Sequence, residues 1–148
     1  MTRQQKYPDT DVFRFHNENP KGRYTGDCVI RAIARATGKT WDEVLDGLYA
    51  TSKRTKYSIA SKECYGRYLE DLGWVKHKQP RKSYGTKYTG TEFCRQLKRY
   101  DCELEGDFPI DRIVAHIGGN HIVAIVEGQV NDTWDSTDGC IGSFWTKP

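Results

Sequence analysis

A thiol at the first turn of a helix and an imidazole at the mouth of a strand are the groups of this chain best suited to chemistry. Cysteines stand at positions 28, 64, 94, 102 and 140, and histidines at 16, 77, 116 and 121. Cys28 follows Gly26-Asp27 and opens CVIRAIARATG, residues 28 to 38. The alanines of that segment, with Val29, Ile30 and Ile33, make a helix apolar around most of its girth, which predicts burial. Asp27 can cap its start and Gly38 can close its end. Unpaired N–H groups and the macrodipole of a first turn stabilise a thiolate. The same N–H groups can hold a developing oxyanion. Against this stands the plainer reading of Cys28 as a small residue that starts a core helix.

A thiol nucleophile needs an imidazole within hydrogen-bond reach and a third group to orient it. His77 lies in a basic stretch, where an exposed role is expected. His16 sits in a polar arm, and His116 within a strand reads as a satisfied core histidine. His121 differs, since it opens the apolar run HIVAIV directly after Gly118-Gly119-Asn120. Such a strand edge is where sites form. A two-residue turn at Glu127-Gly128 pairs Val126 with Gln129, so Val123 faces Asp132 and His121 faces Trp134. His121 and Asp132 then share one face as diagonal neighbours. A three-residue turn shifts the register by one and hands the role to Asp135.

Cysteine on a buried helix, histidine on a later strand and Asn or Asp on the next strand resemble the chain order of papain-like thiol hydrolases. Asp132-Thr133-Trp134 stands where that family commonly has Asn-Ser-Trp, and the resemblance gives the orienting role to Asp132. His121-Ile-Val-Ala-Ile-Val is similar to the family's histidine strand. The stretch GDCVIRAIA in so short a chain looks most like small papain-like proteins of bacteria and their phages. An aspartate as third member is similar to the bacteriocin-processing and other compact bacterial members. The likeness covers about residues 20 to 145 and rests on three short motifs. It implies an α+β papain-like fold, a Cys28–His121–Asp132 triad and a protein or peptide substrate cleaved at an amide bond, with no metal or organic cofactor. One departure is Gly22, which occupies the position where the family usually carries an oxyanion glutamine. Asn17, Asn19, Arg23 and Thr25 are the candidates to substitute.

The elements that must position these groups follow from patterning. The 148 residues, 36% hydrophobic and 29% charged, suit one globular domain. Residues 1 to 25, with Pro8, Pro20 and Gly22, read as an irregular N-terminal arm that could cover a cleft. Thr40 and Glu43 form a capping box for a second helix carrying Trp41, Val44, Leu45 and Leu48. A third helix is expected from Ser61 to Gly73, and a short one after Thr89 through Phe93 and Leu97. Strands are expected at 112–117, 121–126, 129–134 and 141–145, which makes an antiparallel sheet after the helices.

Charge and cysteine usage bound the remaining possibilities. An odd number of cysteines, without a CxxC pair, argues against a disulfide framework and a four-ligand zinc site. Cys28, His121 and Asp132 lack metal-ligand spacing. No segment has the length and apolarity of a membrane span, and the start MTRQQKYPDTD lacks a signal peptide's apolar run, which predicts a cytoplasmic protein. Net charge is +3, yet residues 75 to 100 alone hold eight Lys and Arg against Glu92. That stretch is a solvated face or a docking patch for an acidic partner; without regular aromatic interleaving, nucleic acid is disfavoured. Acyl transfer to an amine, deamidation, and a degenerate papain-like fold used for binding are the competing functional readings. The oligomeric state is open.

Overall fold

Capping chemistry sets where most of the helices begin. In the computed structural model, which describes residues 1–104 and 106–148, Thr2, Thr40 and Thr89 each accept from the backbone N–H three residues on. Gln5, Glu43 and Glu92 return the bond to the cap, completing three capping boxes. These open α1 (Arg3–Lys6), α3 (Trp41–Thr55) and α5 (Gly90–Leu97), while Ser61 caps α4 (Lys62–Asp71). The Ala-rich segment forms α2 (Cys28–Thr37), which Gly38 ends at φ +78° with its N–H on the Ala34 carbonyl.

The strands are β1 (Phe13–Phe15), β2 (Val75–His77), β3 (Arg112–Ile117), β4 (His121–Val126), β5 (Gln129–Asp132) and β6 (Ile141–Thr146). They form one six-stranded sheet in the order β1-β5-β4-β3-β6-β2. Helices α2, α3 and α4 cover one face, through a core that includes Ile33, Leu48, Leu69, Val114, Ile122 and Ala124. Phe93 and Leu97 of α5 cover the other face, against Ile113, Ala115, Val123 and Ile125. Strand β4 therefore buries alternate residues in two different cores, which is why it reads as an unbroken apolar run. The fold is α+β.

Three expectations are corrected. The arm over residues 1 to 25 is not wholly irregular: besides α1 it contributes β1, which pairs parallel to β5 in the register Phe13↔Val130 to Phe15↔Asp132. Phe13 is fully buried, and burying it drives the pairing. The sheet is consequently mixed rather than antiparallel throughout. Strand β5 also stops at Asp132 rather than Trp134, because the Asp132 carboxylate takes the Thr133 N–H itself and turns the chain. The edge strand β2 was not foreseen; only three residues long, it shows no alternation to detect.

The β4–β5 connection has two residues, with Val126 opposite Gln129. Glu127 and Gly128 both have positive φ, 51° and 75°, as the mirror-image hairpin turns require. Glutamate is strained there, whereas asparagine tolerates that region. Glu127→Asn is expected to raise the unfolding free energy by roughly 0.5–1 kcal/mol in urea titration, leaving the register unchanged.

Candidate active site

Three elements bring their ends to one place. Cys28 starts α2, His121 starts β4 and Asp132 finishes β5. His121 Nε2 donates to Asp132 Oδ2 at 2.5 Å. That leaves Nδ1 as the imidazole nitrogen open to a thiol, and the Cys28 thiol and the His121 side chain are close enough to shift each other's titration. The Ile122 backbone also contacts Cys28. Trp134 leans on the imidazole with ring centroids 4.8 Å apart, shielding it from one side. Asp135, the alternative orienting residue, is elsewhere: its Oδ1 accepts from the Thr137 N–H and hydroxyl and closes the loop before β6. The two-residue turn decides between the two aspartates.

Asp27 does something other than cap α2. Its side chain makes no cap hydrogen bond. The carboxylate instead accepts from Asn19 Nδ2 at 3.0 Å, Trp41 Nε1 at 2.9 Å and Arg31 Nε at 2.8 Å. Three side-chain donors outbid the helix N–H groups, so the first turn of α2 is left without a side-chain acceptor from Asp27. Arg31 then reaches from Asp27 to Asp132 Oδ1 at 2.7 Å. Arg31, its side chain 11% exposed, is a link between the cysteine helix and the aspartate. The only sequence signal was an arginine near the start of a helix that is otherwise mostly apolar.

The electrostatics follow from burial set against these contacts. Burial pushes the Cys28 thiol up, but hydrogen bonding to His121 and its charge outweigh this, and the thiol lies below its ordinary value. Burial likewise opposes charge on His121, while hydrogen bonds to Asp132 and Cys28 override it and raise the imidazole to about 9. Asp132, only 2% exposed, is held below the usual carboxylate range despite burial, by His121 and Arg31. The arrangement favours a thiolate–imidazolium pair oriented by a carboxylate. Elsewhere burial wins: Cys64 is raised and Cys94 is pushed up to about 12.

The other polar neighbours divide by role. The His16 N–H donates to the Asp132 carbonyl at 2.9 Å, and its ring pairs with Glu18. His16, Glu18, Arg31 and Arg35 line a small crevice that also touches Cys28 and Asp132. His116 is not the satisfied core histidine expected, since its buried Nε2 has no partner among the described residues. His77 is not in an exposed role either: it is stacked on Phe144 and bonded to Thr146 Oγ1. Among the candidates for the oxyanion side chain, Asn19 is committed to Asp27 and Asn17 to the Arg23 carbonyl. Gly22, Arg23 and Thr25 are exposed. Among the described residues no group of three or more His, Cys, Asp or Glu is arranged to hold a metal ion. Among the described residues no helix is long and apolar enough to cross a membrane.

Two measurements check this electrostatic picture. A raised imidazole pKa contributes stability that is complete below about pH 6.5 and is lost as pH rises through about 9. The difference in unfolding free energy between the wild type and His121→Ala should therefore be largest below pH 6.5 and shrink toward pH 9. A flat difference across that range contradicts the raised value. Arg31→Met strands two buried carboxylates and is expected to cost about 3–5 kcal/mol in urea titration. A loss below 1 kcal/mol shows that the link is dispensable. Compared with known proteins, the chain matches no family model, no curated protein and no solved structure.

Proposed function

We propose that the protein is a papain-like thiol hydrolase that cleaves an amide bond, peptide or isopeptide, through Cys28, His121 and Asp132. The observation that supports this reading is the His121–Asp132 hydrogen bond with the Cys28 thiol beside the same imidazole, the thiol pKa lowered and the imidazole pKa raised. Its order along the chain, cysteine helix first and the histidine and aspartate strands after it, is that of the resemblance drawn from sequence.

In this mechanism Cys28 Sγ attacks the carbonyl carbon and the C=O electron pair moves onto oxygen. The first-turn N–H groups of α2, free of an Asp27 side-chain cap, stabilise that oxyanion. Collapse breaks the C–N bond, and the His121 imidazolium gives its proton to the departing amine. Water then attacks the thioester carbonyl, with His121 as base. The acid leaves and the thiolate is restored. Asp132 holds the imidazole by Nε2 throughout, presenting Nδ1 to sulfur, and Arg31 and the Thr133 N–H hold Asp132.

The test is iodoacetamide alkylation across pH with peptide mass mapping, using exposed Cys102 and Cys140 as internal controls. Cys28 is expected to react fastest below pH 7, and His121→Ala to slow it on the order of tenfold or more. A Cys28 that alkylates no faster than Cys102 and Cys140, or is indifferent to His121, removes the proposal.

A further inference from the structure

The basic stretch folds into a surface feature that the triad does not use. Residues 81 to 87 form a small hairpin, with an Arg81↔Lys87 bridge, the Lys82 N–H on the Thr86 carbonyl, and Gly85 at φ +91°. Beside it runs a groove of about 640 Å³, whose walls include Lys78, Arg81, Lys82 and Glu103. Its floor is partly aromatic: His77 stacks on Phe144 at 4.7 Å. Lys82 is spent on Glu92, Arg95 on Asp11 and Arg99 on Asp101. Lys78, Arg81 and Lys87 are exposed and have no carboxylate partner among the described residues.

Position relates the groove to the proposed site. Gln79 Nε2 donates to the Ile141 carbonyl, and the Ile141 N–H donates to the Tyr88 carbonyl, so the hairpin is anchored at the start of β6. Ile141 pairs with Ile117, and Ile117 pairs with His121. Two strand spacings, roughly 10 Å, separate that anchor from the His121 backbone. An extended chain advances roughly 3.3 Å per residue, so roughly three residues span that separation.

We propose that this groove docks an acidic segment of the polypeptide whose amide bond Cys28 attacks. The inference rests on the thiol-hydrolase reading and names its substrate class. Carboxylates match cations that lack a carboxylate partner among the described residues, and the apolar floor strengthens such pairs by excluding water. A polypeptide fits better than single-stranded nucleic acid: Phe144 and Tyr88 in the groove are buried, and Tyr84, 72% exposed at the hairpin tip, is a lone exposed ring on the hairpin, where nucleic-acid grooves use successive platforms.

An affinity label separates this proposal from the reading beneath it. Chloroacetyl-Gly-Gly carrying six glutamates is compared with its six-lysine counterpart and with iodoacetamide; the thiolate displaces halide and forms a thioether. The proteins are the wild type, Lys78→Glu/Arg81→Glu/Lys87→Glu, and Lys78→Glu/Lys87→Glu, which spares the Arg81 contacts to Gly85 and Gln79. The glutamate label is expected to modify wild-type Cys28 at least about tenfold faster than the lysine label at low salt. That preference should vanish in both variants and in 1 M NaCl, while iodoacetamide rates stay unchanged. Equal rates for the two labels, with Cys28 reactive to iodoacetamide, overturn the groove assignment alone. Protection of Cys28 by decauridylate but not by decaglutamate overturns it in favour of nucleic acid. A Cys28 inert to iodoacetamide overturns the hydrolase reading and the substrate assignment together.

Discussion

The guanidinium of Arg31 holds the site to the fold. It joins Asp27, one residue before the cysteine, to Asp132, the partner of the histidine. Two buried carboxylates without a cation between them cannot both remain ionised at low cost. Once the cation is placed, each carboxylate has spare oxygen capacity for a second task. Asp27 gathers Asn19 and Trp41, anchoring the incoming arm and the start of α3. Asp132 gathers His121 and the Thr133 N–H. One cation therefore fixes the angle between the cysteine helix and the hairpin, and that angle decides whether thiol and imidazole meet.

The second constraint is parity. Side chains alternate across a strand, so the two-residue turn at Glu127-Gly128 determines which aspartate joins the imidazole. A glutamate in the left-handed region is tolerated because this register, and no slipped one, puts Val123 and Ile125 into the core beneath α5. The strain at the turn is offset by burial elsewhere on the strand. Core and proposed site thus depend on the same geometric choice, and a slip harms both.

What could be read from the sequence was local. The capping boxes at Thr40 and Thr89, the Ala-rich helix ended by Gly38, and the hairpin of β4 and β5 are encoded within a few residues of where they act. The hydrogen bond between His121 and Asp132 could be anticipated because a tight turn makes their separation a matter of counting. The role of Asp27 was misjudged because a cap is a local prior, and three side-chain donors from other parts of the chain outweigh it. Arg31 meets Asp132 across 101 positions, a pairing no periodicity announces. Strands β1 and β2, three residues each, carry too little alternation to stand out from loop. How the imidazole comes to rest under Trp134 depended on where β5 ends, which the pairing pattern alone overshot.

The pairing of β1 with β5 has a consequence for synthesis. A ribosome releases Phe13 and Cys28 long before Asp132, and proteins are made at roughly 5–20 residues per second. During that interval the cysteine helix has neither strand β4 beneath it nor an imidazole beside it, so its thiol keeps the modest acidity of an unfolded residue. Closing the sheet then brings the earliest strand against one of the latest, a long-range contact of the kind that forms slowly. A chain with this topology lowers the pKa of Cys28 only after β4 and β5 have been made, so a copy stalled before His121 carries an ordinary cysteine.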